Sequence, residues 1–288
     1  MTIFKCEYLI FMKKRCALIS NVKNEEIILP LWLSYYTRFF HPSDIYVGDD
    51  SSTDSTTSIL KTAGVAVDVV PPCSCEENKH RHLVKYNAHK MTELLKTYEA
   101  VLFVESDEFI VPALGTLGEF LTVWTTGSQS CQACKDEVRA SSDKESKCRF
   151  HQVQTSTNVE IIQDIDNERE LDLTMPIMAQ RSHALNVPKF NNSQLWSVPP
   201  RWTSGYHNVR GLKLPPSQTL WLVHIHHIDF KSCNERHKAR KQFVDNIIFA
   251  VEVDAELEEF FRNKLNNPSL YYGYPRTMEI PPEVKTAF

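Results

Sequence analysis

The chain has 288 residues, 42% of them hydrophobic and 24% charged, with a net charge of −4. That is enough to bury a large core, and the mildly acidic balance gives no general attraction to nucleic acid or to a membrane surface. There is no Gly-x-Gly-x-x-Gly and no Gly-Lys-Ser/Thr, so the usual backbone cradles for dinucleotides and triphosphates are missing, and no apolar run is long enough to span a bilayer. The patch 1–11 lacks the basic start and cleavage site of a signal peptide, and the scattered cysteines read as reduced thiols, so a cytoplasmic location is expected.

In chain order, Cys16–Ser20 reads as a strand. The polar turn 21–26 follows, with Asn24 as an N-cap and Glu25 and Glu26 where a helix dipole favours acids. Ile27, Ile28, Leu31, Trp32 and Tyr35 then recur at helical spacing. Asp44–Gly48 is a second strand that ends in Asp49 and Asp50, and Ser52 or Thr53 caps a helix running to about Ala63. Val65–Val70 is a third strand and Leu83–Tyr98 a helix. Ala100–Val104 is an apolar run of the kind buried on both faces of a parallel sheet. This alternation argues for an α/β fold, a mostly parallel sheet flanked by helices.

The second half is less regular. Gly115–Trp124 reads as a short helix, 125–147 as an exposed insertion, and Arg149–Thr155 with Asn158–Gln163 as a hairpin. The acid-rich stretch 160–172 is expected to be solvated, and 176–216 to be an irregular functional segment. Thr219–His224 is a late strand, and Phe230–Val253 and Ala255–Leu265 are helices. The proline-bearing tail from Asn266 is expected to lie over the surface or to be mobile.

The run 100–104 ends in Glu105-Ser106-Asp107-Glu108. Three carboxylates so close repel one another unless water or a cation neutralises them. In open α/β sheets, ligands bind at the carboxyl ends of the strands, where both this cluster and Asp49/Asp50 fall. A divalent-metal site is therefore expected, against the plainer alternative of a solvated turn. Strand alternation places His224 and His226 on one face and His227 on the other.

The order of strand, Asn-x-x-Asn-Glu, helix, strand, Asp-Asp-x-Ser-Thr-Asp-x-Thr, helix, then strand and Glu-x-Asp-Glu-Phe resembles family-2-type glycosyltransferases of the GT-A fold. The form Asp107-Glu108-Phe109-x-x-Pro112 is most similar to the family-92 and family-2-like branch, and the piece Leu222–Ser232 resembles that family's late His-Tyr-x-x-Lys-Ser segment. Where that family usually has Asp-x-Asp, this chain has Glu105 at the first position. The resemblance implies a GT-A domain over 12–265, with a nucleotide-binding half 12–112, an acceptor half 113–265 and a C-terminal helical extension. The tail 266–288 stands outside it.

It further implies a transferase, inverting by expectation, that uses Mn²⁺ or Mg²⁺ and a nucleotide-sugar donor (a UDP- or GDP-sugar) with a glycan or other hydroxyl acceptor. Asp107 would be the direct metal ligand, Glu105 would bind ribose or metal, and His224 or His226 would complete the metal shell or hold the diphosphate. Lys231 and Arg236 would add positive charge. Asp49 or Asp50 would accept from the base or ribose, with the loop 21–24, including Asn24, along the base. His207 matches a histidine of the family before the late strand. The general base is left among Glu108, Asp164, Asp166 and Asp172. A rival reading is a zinc-stabilised binding module on a degenerate transferase fold, because Cys131, Cys134, Cys148 and His151 have zinc-like spacing; Cys73, Cys75, His80 and His82 make a weaker set.

Overall fold

The structure is a computed structural model that describes residues 14–73, 79–130, 152–186, 193–200, 202, 206, 217–241, 255–266 and 276–288. The first half is built as its alternation implies. Strand β1 (Lys14–Val22) pairs in parallel with β2 (Ile45–Asp49) on one side and with β4 (Tyr98–Phe103) on the other, and β3 (Ala66–Val69) extends the sheet beyond β2. The helices between them are α1 (Leu29–Tyr36), α2 (Thr56–Thr62) and α3 (Lys79–Leu94). Helix α3 starts and stops earlier than the expected 83–98, because Tyr98 already belongs to β4, where it is buried.

Both faces of the central strands β1 and β4 are dry, and the side-chain period of two shows why. Leu18, Val22, Ala100, Leu102 and Val104 pack into one core with Trp32, Tyr35 and Tyr36 of α1. The intervening Ala17, Ile19, Val101 and Phe103 pack into the other with Val84, Met91 and Leu94 of α3. Trp32 is fully buried, so its truncation to Ala would cost about 3–5 kcal/mol.

The second half adds mainly antiparallel strands to the same sheet. These are β5 (Glu108–Pro112), β6 (Gln152–Ile162), β7 (His183–Asn186), β8 (Ser193–Trp196), β9 (Ser217–His227) and β10 (Arg276–Glu279). Helix α4 (Leu117–Ser130) precedes β6, α5 (Phe230–Lys241) and α6 (Ala255–Asn266) follow β9, and α7 (Pro282–Ala287) comes last. Strand β6 is continuous and carries a register shift at Val153/Gln154, in place of the expected hairpin. Its first part pairs with β8, its last part with β7, and most of its length runs parallel to β9.

The segment 176–216, expected to be irregular, contributes a 3₁₀ turn (Ile177–Gln180) and strands β7 and β8. Nor is 276–288 loose. Strand β10 pairs with β7, and Phe288 stacks on Tyr35 at a centroid distance of 5.1 Å and meets Phe109 edge-on at 4.7 Å. Among the described residues, no helix is long and apolar enough to cross a membrane.

Candidate active site

Strand β4 ends at Phe103, and after a short turn the chain re-enters the sheet as β5, antiparallel to β9. The turn between them carries Glu105, Ser106 and Asp107. It is pinned to β9 by the Ile225 N–H, which donates to the Asp107 carbonyl at 2.9 Å. The outer edge of β5 is completed by side chains of α1. The Tyr36 hydroxyl accepts from Ile110 N at 3.1 Å and donates to the Glu108 carbonyl at 3.2 Å, and the Tyr35 hydroxyl donates to the Ile110 carbonyl at 2.7 Å. Two phenols thus stand in for a neighbouring strand, and they hold the turn from the side opposite β9.

The three neighbouring carboxylates avoid one another by taking different partners. Glu108 is buried and accepts from the Glu105 N–H at 2.9 Å. Asp107 is also buried. Its Oδ2 accepts from His226 Nδ1 at 2.9 Å, its Oδ1 lies 3.4 Å from His224 Nε2, and Arg236 Nη1 stands 3.6 Å from Oδ2. Glu105 is half-buried and lines a cavity of about 360 Å³ at the carboxyl edge of the parallel strands. Asn21, Lys23, Glu25, Asp50, Asp107, Tyr206, His224 and His226 also face that cavity.

Burial by itself would raise the Asp107 carboxyl. The positive charge and hydrogen bond of His224, with the bond from His226, overcome it and hold the group well below the usual carboxylate range. Burial by itself would lower His224, but Asp107 and then Glu160 and Glu108 raise it to about 9. His226 goes the other way: burial, His227 and Arg236 outweigh its bond to Asp107 and keep it neutral. Without a cation the cluster is thus an ionised carboxylate between a protonated and a neutral imidazole, and His224 must give up its proton before it can ligate a metal. The cluster's ligand atoms lie within 4.8 Å of one another, a donor set that suits a divalent cation.

The other residues expected at the site fall into two groups. Asp50 lines the cavity, and Lys23 donates to its carbonyl at 3.0 Å. Asp49 does not line it: its carboxylate accepts from Ser52 N at 3.0 Å and from the Thr57 hydroxyl at 3.4 Å, the turn role available to any strand-end Asp. Asn24 is neither N-cap nor cavity wall. It adopts φ 55°, which Asn tolerates, and its Oδ1 accepts from Thr53 N, tying the β1 loop to the β2 loop. Helix α1 instead has Ile28 at its N-cap position, with no side-chain cap, and α2 follows Ser55, with Asp54 accepting from Thr56 N.

Lys231 is mostly exposed and pairs with Glu170 at 3.2 Å, outside the cavity. Arg236, on the buried side of α5, is the cation that reaches the acids: it lies 3.7 Å from Glu25 and donates to the His226 carbonyl.

Of the acids considered as a base, Glu108 is engaged as above. Asp164 accepts from Asp166 N and Asn167, Asp166 pairs with Arg262 at 3.0 Å, and Asp172 caps Thr174; none of these lines the cavity. His207 and the set Cys131, Cys134, Cys148 and His151 lie outside the described residues, as do Cys75 and the side chain of His80.

Two contributors escaped the sequence reading. Glu160, expected to be solvated, is buried and bonds to His227 Nδ1. Tyr206 faces the cavity, with Asn87 and Asn21 donating to its hydroxyl at 2.6 and 3.5 Å and its ring 4.5 Å from that of Phe103. Asn21 reaches this position over Gly48, where a Cβ would come within 2.7 Å of its Oδ1. The apolar run 220–223 was the available signal for β9.

No protein-family profile and no curated protein sequence matches the chain. Among solved structures it is similar to glucosyl-3-phosphoglycerate synthase from Mycobacterium tuberculosis in complex with Mn²⁺, UDP-glucose and phosphoglyceric acid. That match has 18% identity and a TM-score of 0.26 over 33% of this chain and 34% of that one. A second structure of the enzyme, with Mn²⁺, UDP and glucosyl-3-phosphoglycerate, matches at 13% identity and a TM-score of 0.29 over 52% and 45%. S. aureus TarS matches at 13% identity and a TM-score of 0.33 over 88% and 44%. The chain spans between a third and a half of the length of these proteins.

Proposed function

We propose that the protein is a glycosyltransferase that moves a sugar from a nucleotide-diphosphate donor to an acceptor hydroxyl with the help of Mn²⁺ or Mg²⁺. The observation that carries this reading is the buried Asp107 carboxylate beside His224 and His226, at one wall of a polar cavity on the carboxyl edge of the parallel strands. Asp107 and His224 would hold the cation, and His226 would orient the carboxylate through its second oxygen. When bound, a divalent cation supplies charge neutralisation to the departing diphosphate.

The chain's own groups would do the rest. Lys23 at the cavity mouth adds a positive charge for phosphate oxygens. Glu105 and Asp50 accept from ribose or base hydroxyl and amine groups, and Tyr206 with Phe103 offers an aromatic wall. Transfer is proposed to invert configuration. A base must lie within hydrogen-bond reach of the acceptor, which favours the cavity acids Glu25, Asp50 and Glu105 over Asp164, Asp166 and Asp172. The domain 12–265, with its two halves, is proposed as the unit that performs this.

A thermal-shift panel of UDP, GDP and their sugars, with and without Mn²⁺, tests the reading. At least one nucleoside diphosphate should raise Tm only when the cation is present, and Asp107→Ala should abolish the rise. Equal rises in the parent and the variant would overturn the assignment.

A further inference from the structure

The corner between β9 and α5 gathers a second set of metal-competent atoms. His226, His227 and Cys233 each present one ligand atom, all within 4.8 Å of one another. We propose that these three side chains bind Zn²⁺ or a similar borderline-soft divalent cation, at a site distinct from the Asp107–His224 pair. The inference stands whether or not the protein is a transferase.

Three observations support it. First, the set is built by the fold rather than by mobile side chains. Cys233 is fully buried in the first turn of α5, His227 is 8% exposed at the end of β9, and the Cys233 N–H donates to the Asp229 carbonyl at 3.0 Å. The register shift between Glu160 and Ile162, opposite β9, turns His227 from the far face toward His226, so that their ring centroids are 4.8 Å apart.

Second, each imidazole is already oriented by a carboxylate. His226 Nδ1 bonds to Asp107 Oδ2 at 2.9 Å and His227 Nδ1 bonds to Glu160. With Nδ1 as the donor in these bonds, Nε2 of each ring keeps the lone pair for a metal. That is the arrangement by which metal-binding histidines are held.

Third, the donor types differ from those of the cavity. A thiolate and two imidazoles select Zn²⁺ over Mn²⁺ and Mg²⁺, whereas a carboxylate-rich site favours the hard ions. Tetrahedral zinc would bring the three donors to about 3.3–3.6 Å apart, from the ordinary Zn–N and Zn–S lengths. The 4.8 Å limit exceeds this by about an ångström, which side-chain rotation would have to close on binding. Of the three, His226 also lines the cavity.

Binding forms one Zn–S and two Zn–N bonds and releases the thiol proton to solvent. The bound ion would tie α5 to β9 and fix His226, and through it Asp107.

The test uses the full chain, stripped of metal and titrated with Co²⁺ and then Zn²⁺. One equivalent of Co²⁺ should give a thiolate-to-cobalt charge-transfer band in the near ultraviolet, and Zn²⁺ should displace it. Cys233→Ser should lose the band and weaken Zn²⁺ binding at least about tenfold. The Cys131→Ser/Cys134→Ser double variant should keep both. A band unchanged in Cys233→Ser, or lost in the double variant, would overturn the proposal.

X-ray absorption on the unmutated zinc-loaded chain supplies a readout that does not depend on how a variant folds. One sulfur and two imidazole nitrogens around the ion are expected, and a shell with no sulfur or with several would overturn the site. The Mn²⁺-dependent nucleotide shift, measured on the same sample, reports separately on the transferase reading.

Discussion

Two strand ends in this chain carry neighbouring acids, and the fold uses them differently. At the end of β2, Asp49 turns back on its own loop and accepts from Ser52 and Thr57. At the end of β4, Asp107 turns outward to groups more than a hundred residues away, His224, His226 and Arg236. Both patterns look alike along the chain. An acid satisfied by its own turn contributes to stability, whereas under the proposed function the acid whose partners arrive from distant elements is the one that would hold the cation. The contrast rests on partners, and partners can be removed one at a time.

The largest effect is expected from exchanging the two roles. Asp107→Asn should weaken Mn²⁺-dependent nucleotide binding at least about 100-fold, measured by titration calorimetry. Asp49→Ala should leave that affinity within about twofold and cost about 1 kcal/mol in urea unfolding, as lost turn and cap bonds do. Comparable losses of affinity in both variants would erase the distinction.

Next in size is Tyr36→Phe, which strands the Ile110 N–H and the Glu108 carbonyl on the buried edge of β5. It should cost about 1–3 kcal/mol, as unsatisfied buried groups do. A change below about 0.5 kcal/mol would mean that β5 holds the acidic turn without its phenols.

The His224–Asp107 pair should also show in the pH dependence of metal-free stability. His224 is raised to about 9 in the fold, from 6.5. Its contribution is therefore fully present below the lower value and lost as pH rises through the upper one. Asp107 is depressed, so its contribution is present above the ordinary carboxylate pKa and lost as pH falls below it. Tm should decline between pH 6.5 and about 9, and His224→Gln should flatten that limb. A limb of unchanged slope would assign the decline elsewhere. Smallest of all, Lys231→Ala should leave both the Tm and the nucleotide affinity unchanged in the same assays, since its exposed pair with Glu170 is screened by solvent.

How much of this was legible follows from the range of the interactions. The parallel half, from Cys16 to Val104, is written in local alternation and in helical spacing, and those survive into the fold. The grouping of Asp107 with His224 and His226 followed from the resemblance to the glycosyltransferases; strand alternation added that the two histidines share a face.

Other features turn on contacts that no local pattern records. Glu160 read as solvated because its neighbours downstream are acids, but it is the end of a buried strand. Lys231 and Arg236 looked equivalent as charges. Their five-residue separation puts them on different sides of α5, and the buried positions Asp229, Ser232, Cys233 and Arg236 mark which side is inward. Phe288 was taken with a loose tail, since nothing local says that Tyr35 will be its partner.

In the ladder, His224 of β9 sits opposite Glu108 of β5 on one flank and opposite Glu160 of β6 on the other. Sliding β9 by a single position would bring Val223 or Ile225 between two buried carboxylates, and would send the imidazole into the aliphatic layer behind the sheet. Correct alignment of the three strands is therefore rewarded by charge as well as by grease. A misthreaded hairpin in this region carries its own electrostatic penalty before any ligand arrives.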